Sequence, residues 1–505
     1  MTTSTTPTAP AVTVTPRQAW LALAVLLAGM FMSLLDTTIV NVALPTIQES
    51  LEASESTLAW IISGYALAFG LVLIPAGRVG DRFGHKWVFF TGLAIFTAAS
   101  LWAGLAQDET TLIIARVVQG LGGGIFFPPV TAFIQLMFPP MKRGAAFGIM
   151  GAVIGVSSAL GPIVGGLLIE AIGEETGWRW IFAINLPIGV IALVAAAVLL
   201  PKGSEGKKLS TDLVGLVLLA GSLVAILVPL IQGQDEGWPL WTYLSIAGGV
   251  VLLVLFAFWE RAVVARGQEP LVPPHLFSHP AFTGGVILAL VYFAAFTSIF
   301  FTISLLWQGG LGHTALESGL VSTPFAIGSI VGASQSDRLA QKLGRTVLAI
   351  GVGLLSIGLI ALFVILLVVP TTDLNNWDLL APMLIAGFGS GLFIAPNARF
   401  ITATVDRSEA GAASGVIGTM QRIGSAIGIA VIGSVLFGVA DLDTIGDDIK
   451  SGLMDGTYAN GDLAATSVLA AHFGPAATVA LGVSAAFAVV SFCLVFVLPK
   501  RVSLH

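Results

Sequence analysis

The sequence predicts an all-α polytopic membrane protein with 14 transmembrane helices, and three observations predict it. Charged residues make up only 10% of the chain against 56% hydrophobic, where a soluble domain carries roughly 25% charged residues. Apolar runs long enough to cross a bilayer recur along the whole length. A two-helix segment of the first half returns in the second at one fixed offset.

A helix needs about 20 apolar residues to cross a hydrocarbon core of roughly 30 Å. Such runs begin near Ala19, Thr57, Trp87, Thr110, Gly144, Trp178, Asp212, Trp241, Phe282, Thr314, Gly344, Leu379, Gly411 and Phe473. They are too long, and alternate too little, for the strands of a barrel. The Thr/Pro-rich start of the chain reads as a disordered tail. The first run, Trp20 to Val40, is longer than the apolar core of a signal peptide, and no small-residue cleavage pattern follows it.

The loops test the count, because Lys and Arg should sit in alternate loops. One side holds Arg17; Arg78, Arg82, Lys86; Lys142, Arg143; Lys202, Lys207, Lys208; Arg261, Arg266; Arg338, Lys342, Arg345; Arg399, Arg407; and Lys500, Arg501. The other side holds only Arg179 and Lys450, while Arg116 and Arg422 fall inside spans. One misplaced helix would scramble this pattern. Both termini are therefore expected in the cytoplasm, and the plasma (inner) membrane is the expected location. The opposite side is acidic, with Glu49, Glu52 and Glu55 and a late loop carrying Asp441, Asp443, Asp447, Asp448, Asp455 and Asp462.

Composition excludes other classes. Basic residues are few and scattered, which speaks against nucleic acid. The single cysteine, Cys493, cannot build a disulfide framework or a cysteine metal site. No phosphate loop, metal constellation or nucleophile triad is present, so neither an enzyme nor an ATP-driven pump is expected. No cofactor or metal is expected.

Gly120 to Gly161 aligns without a gap to Gly387 to Gly428, shifted by 267 residues, with 15 of 42 positions identical. Gly120, Gly122, Gly124, Phe126 and Pro129 match Gly387, Gly389, Gly391, Phe393 and Pro396. Gly144-Ala145-Ala146 matches Gly411-Ala412-Ala413. Spans one to six and nine to fourteen thus read as parallel copies, with spans seven and eight inserted. The expected organisation is a tail (1–18), a six-helix bundle (19–200), a linker with the inserted pair (201–265), a second bundle (266–498, with an acidic loop at about 439–472) and a short tail (499–505). Parallel repeats place a substrate between the halves.

Several segments resemble a known family. Leu35 to Pro45 (LDTTIVNVALP) is similar to the first-helix signature of the fourteen-helix drug/proton antiporters of the QacA and EmrB type, within the major facilitator superfamily. Gly77 to Lys86 (GRVGDRFGHK) resembles the general major facilitator loop signature. Arg116 with Gln119-Gly120 resembles the fourth-helix signature, and Gly155 through Gly161-Pro162-Ile163-Val164-Gly165-Gly166 the antiporter signature of the fifth. Trp178 to Phe182 with Asn185-Leu186-Pro187 also fits. The resemblance implies the major facilitator fold and proton-coupled export of small amphipathic molecules, with protons as the coupling ion.

Asp36 reads as the one acidic residue well inside a span. A carboxylate in the bilayer core costs roughly 2.5–3.5 kcal/mol on insertion scales. Burial favours its neutral form and a neighbouring cation its charged form, as a reversible proton carrier requires. Arg116 is the candidate cation; a fixed ion pair locking two helices is the plainer alternative. Arg422, the third buried charge, has Gly155 as its repeat partner and lies roughly 16 Å into its helix. It can meet a carboxylated substrate, Asp36 in another conformation, or nearby carbonyls. The position matching Asp36 in the second copy is Ile303, and the tenth helix, read from Thr314 to Ser334, carries only Glu317. That places proton coupling in the first half and disfavours doubly charged cations.

Gly77, Asp81, Arg82, Gly84 and Lys86 form a candidate cytoplasmic gate. Asp81 suits a helix N-terminus, and the resemblance assigns that helix to the other half. The alternative is a plain positive-inside loop. On the fifth helix Gly155, Gly161, Pro162, Gly165 and Gly166 predict a bent, close contact sealing the inner route. Tyr292, Phe296 and Phe300 share a helix face and, with Asn41, Tyr65, Gln119 and Gln308, are candidate substrate contacts; ordinary packing or lipid contact is the competing reading of the stripe. The expected protein works as a monomer in a lipid bilayer on a drug, dye or toxic cation. A native metabolite, lipid, siderophore or antibiotic is the alternative cargo. A non-transporting sensor is the alternative class.

Overall fold

The computed structural model describes residues 15–53, 55–201, 212–233, 236–403, 405–406, 409–440, 444–445, 448–451 and 461–499. Residues 1–14 and 500–505 of the expected tails, the lysines at 202–208, Arg407 and, within the expected acidic loop, residues 441–443, 446–447 and 452–460 lie outside them. Among the described residues, 14 helical spans are long and apolar enough to cross a membrane.

The first span, Pro16–Leu51, starts at a capping box in which Thr15 and Gln18 satisfy each other's backbone N–H, with Pro16 where no helical N–H is needed. The second is Glu55–Phe83, the third His85–Gly104, the fourth Glu109–Met137 and the fifth Pro140–Ile172. The sixth is broken into Glu174–Ala183 and Asn185–Leu199. Pro187 explains the break, since it cannot donate to the carbonyl of Ala183. The inserted pair is Leu213–Gln232 and Leu240–Ala265. The second bundle comprises Pro280–Leu305 with a π-helical turn at Leu306–Gly310, then Ala315–Leu343, Thr346–Val368, Asn376–Thr402, Ala410–Ala440 and Gly461–Val495.

Two boundaries differ from the sequence reading. The last helix starts at Gly461, not near Phe473, which shortens the acidic loop. The tenth runs on to Leu343 and so includes Asp337.

The repeat is written in glycine contacts. A Cβ on Gly120 or Gly124 would collide with the carbonyl oxygens of Tyr65 and Phe69; one on Gly387 or Gly391 would collide with those of Phe325 and Ser329. Gly122 packs on the backbone of Phe96, and Gly389 on that of Leu355. Such residues let helices approach where lipid offers no hydrophobic drive to association. The offset is thus 260 at the second span, and Gly161 on Thr38 against Gly428 on Ala294 makes it 256 at the first, so the pairing of Asp36 with Ile303 lapses. No acidic residue occurs anywhere in the ninth span.

Two seams join the halves. The fifth span meets the tenth, and the second meets the thirteenth. The inserted pair lies over the latter seam: Leu219, Leu223, Leu227 and Phe256 share one apolar cluster with Ile74 of the second span and Val416, Ile417 and Ile423 of the thirteenth. Trp238 Nε1 donates to Ser434 Oγ at 2.6 Å, tying the pair to the thirteenth span.

Candidate transport site

Side chains and backbone of five spans, the first, second, third, fourth and sixth, gather around one carboxylate. Asp36 is fully buried and Arg116 is 1% exposed. Arg116 Nη1 donates to Asp36 Oδ2 at 2.5 Å. Gln119 Nε2 and Asn185 Nδ2 each donate to Asp36 Oδ1 at 2.9 Å. Arg116 keeps two further acceptors, Gln119 Oε1 at 2.6 Å and the Ile61 carbonyl at 3.2 Å. Ser100 Oγ accepts from Gln119 at 2.8 Å. One helical turn separates Arg116 from Gln119, so both project to the same face. The Tyr65 ring caps the guanidinium at 4.2 Å, and its hydroxyl bonds Ser33 Oγ at 3.0 Å. A charge here is held by hydrogen bonds rather than water, which is what keeps a buried ion from being prohibitive.

At the basic-loop face, the Asp81 carboxylate crosses to the other half. Gly411 N donates to Oδ1 at 2.9 Å and Ala412 N to Oδ2 at 3.0 Å. These are unsatisfied N–H groups in the first turn of the thirteenth span, where the helix dipole favours an anion. His85 Nε2 lies 3.3 Å and Arg78 4.0 Å from the same carboxylate. A Cβ on Gly77 would strike the Gly411 carbonyl. Gly84 begins the third helix at φ 92°, a left-handed conformation that favours glycine. Lys86 turns within its own half to the Ala197 and Leu200 carbonyls, at 2.7 and 2.9 Å. The Arg82 guanidinium lies over Phe83 at 4.8 Å.

Comparison with known proteins fixes the family. Residues 26–429 match the Major Facilitator Superfamily. The chain belongs to that superfamily. A probable actinorhodin transporter of Streptomyces coelicolor is 37% identical over 83% of this chain and 73% of its own. The puromycin resistance protein pur8 of Streptomyces alboniger is 34% identical over 90% of this chain and 91% of its own. The human organic anion transporter MFSD10 shares the fold, with a TM-score of 0.66 at 15% identity, covering 95% of this chain and all of that one (100%). The resemblance to the fourteen-helix drug/proton antiporters agrees with this membership. The protein is an efflux transporter of the superfamily and not an enzyme.

Seen as a major facilitator, the chain has a second carboxylate at a seam that the sequence reading missed. Asp337 occupies the place of Asp81 in the other half, and a Cβ on Gly144 would collide with its carboxylate. Arg399 Nη1 holds it at 2.8 Å. Asn185 and Ser100 were also missed as site residues, as was Glu260. The last is a buried carboxylate near the basic end of the eighth span, 2% exposed, accepting from Val272 N at 3.2 Å. Glu317 is an N-cap partner of Thr314.

Other candidates move to new roles. Gln119 and Tyr65 belong to the Asp36 cluster. Tyr292 is fully buried, donates to Ser390 Oγ at 2.6 Å and stacks on Phe393 at 4.0 Å. Phe296 and Phe300 pack on Phe325 at 5.7 and 5.0 Å, so the stripe faces its own bundle, not lipid. Gln308 bonds Ser304 in its own helix at 2.7 Å. The Asn41 side chain lies outside the described residues. Gly161 and Gly165 press on Thr38 and Ile39 of the first span, beside Asp36. Pro162 meets Gly319, and Gly166 meets Leu316, of the tenth span. Those contacts lie toward the acidic-loop face, so they do not seal the inner route as expected. Gly155, deeper in, packs on Ser329.

Proposed function

We propose that the protein exports small amphipathic molecules from the cytoplasm in exchange for protons, by alternating access, with Asp36 as the proton carrier. The basic-loop face is cytoplasmic in this reading, the membrane is the plasma membrane, and one chain suffices. The observation that carries it is the Asp36–Arg116 contact in a buried cluster where the carboxylate accepts from Arg116, Gln119 and Asn185. Protonating Asp36 removes the charge that holds Arg116. Arg116 then still has Gln119 Oε1 and the Ile61 carbonyl, so its own charge is not abandoned. A proton thereby changes which helices the guanidinium ties together, at a modest rather than prohibitive cost. Asp81 and Asp337 latch the cytoplasmic face while the cargo leaves on the other side. The names of the relatives, antibiotic transport and resistance, support amphipathic cargo of either foreign or native origin.

The test is reconstitution in proteoliposomes with an imposed pH gradient. Wild type should move an amphipathic dye uphill and stop when the gradient is dissipated. Asp36→Asn should insert normally and lose gradient-driven transport, keeping at most downhill exchange. Undiminished uphill transport by Asp36→Asn would remove the carboxylate from coupling.

A further inference from the structure

We infer that Arg422 is the binding cation for an anionic aromatic cargo, a carboxylate or acidic phenol in its ionised form; this deepens the export reading above and rests on it. Arg422 stands in the seam between the two halves, on the thirteenth span opposite the second. Its guanidinium lies over the Phe69 ring at 4.1 Å. Among the described residues it has no hydrogen-bond or ion-pair partner. That sets it apart from Arg116, which donates to Asp36, Gln119 and the Ile61 carbonyl. An unpaired guanidinium at mid-membrane depth is costly and functional by default. A ring takes one face of the planar cation and leaves its edge, the fork that matches a carboxylate with two parallel hydrogen bonds, unclaimed.

The repeat sharpens the point. At the equivalent place in the other seam, Gly155 meets Ser329, and a Cβ on Gly155 would lie 2.7 Å from the serine oxygen. Glycine and serine fill that place in one seam; an arginine and a phenylalanine fill it in the other, with a charge between the halves. The flanking residues fit an aromatic guest. Phe69 is in edge contact with Phe127 at 5.5 Å and beside Tyr65 at 6.0 Å. Tyr65 is also the wall of the proton cluster, with Arg116 on its ring, so cargo and proton sites share one side chain.

Charge balance gives a signature. One proton inward with one monovalent anion outward moves two positive charges inward, so an inside-negative potential accelerates the cycle. A neutral cargo moves one, and a monovalent cation none.

The probes are three anthracenes of one shape: the 9-carboxylate, the 9-methanol and the 9-aminomethyl ammonium. Equilibrium binding to purified wild type in nanodiscs, without any gradient, should favour the carboxylate over the alcohol by at least about tenfold. Arg422→Gln should reduce carboxylate binding to the level of the alcohol, and Arg422→Lys should keep part of the preference. Binding of the alcohol, unchanged in Arg422→Gln, shows that the variant is folded. Equal carboxylate binding by wild type and Arg422→Gln, or a preference for the ammonium, overturns the inference. If binding depends on Arg422 but a pH gradient moves none of the probes, the export mechanism fails and the anion site stands. If a gradient drives the alcohol or the ammonium while the carboxylate does not bind, the site fails and the mechanism stands.

Discussion

Removing the Asp81 carboxylate should unlatch the basic-loop face by a factor on the order of 100. The carboxylate receives two backbone N–H groups from the opposite half, at 2.9 and 3.0 Å. Hydrogen bonds to a charged group contribute about 1.5–3 kcal/mol each. Opening the latch returns both partners to water, so the lower figure applies, giving about 3 kcal/mol for the pair. At about 1.4 kcal/mol per factor of ten, that is roughly 100-fold in the open-to-closed ratio. Asp81→Asn keeps one carbonyl oxygen and a neutral bond of about 1 kcal/mol, so it should fall near 30-fold. The assay is maleimide labelling of Ile74→Cys in a Cys493→Ser background. Ile74 is 4% exposed and packs against Gly415 within the latched seam, so label reaches it only when the face opens. When reclosing outpaces labelling, the rate follows the open population. A labelling rate in Asp81→Ala within twofold of the parent would refute the reasoning, because the two bonds would then carry none of the closure.

Further outcomes follow from other contacts. Gly155→Ala drives a methyl group against Ser329 Oγ and should lower detergent thermal stability by about 1–3 kcal/mol; Ser329→Gly in the same chain should recover most of it, since that oxygen is buried without a partner. Glu409, beside the latch and 3.0 Å from His275, is pushed above the ordinary glutamate range by burial, against the opposing pull of His275. Its contribution is therefore fully present below the unfolded value near 4.5 and lost as pH rises through the shifted one. Melting curves should show Glu409→Gln gaining on wild type above pH 4.5 and the gap closing on acidification; a gap independent of pH would count against a buried carboxylate there. Asp36→Asn, assayed in proteoliposomes, should separate uphill transport from insertion.

The spans were legible because two independent signals agree on them, long apolar runs and the alternation of basic loops. The repeat was legible where glycines must meet backbone, as at Gly120 and Gly387. Its earlier helices were not, because loop lengths differ between copies and a fixed offset drifts; hence the mistaken partner for Asp36. The pairing of Asp36 with Arg116 could be guessed by elimination among buried charges. Asn185 and Ser100 could not, since neutral polar residues in spans carry no charge signal and lie 149 and 64 positions away in the chain. The role of Asp337 was hidden for a related reason: the helical segment before it, Ala333-Ser334-Gln335-Ser336, lacks the glycines that mark Gly77 and Gly80. The break at Ile184 was announced by Pro187 and overlooked amid a continuous apolar stretch. The burial of Glu260 depends on the chain after the eighth span folding back to offer Val272 N, which no periodicity reveals.

The inserted helices acquire a purpose from where they lie. Residues beside Arg422, Ile423 among them, pack against Leu219, Leu223 and Leu227. A jacket of protein thus stands between acyl chains and the one seam that holds a lone cation. Stripped of it, a guanidinium at that depth would drag headgroups and water inward and thin the bilayer around it. Two extra crossings are insulation for a live wire, and a bundle of twelve could carry such a charge only by finding another sheath.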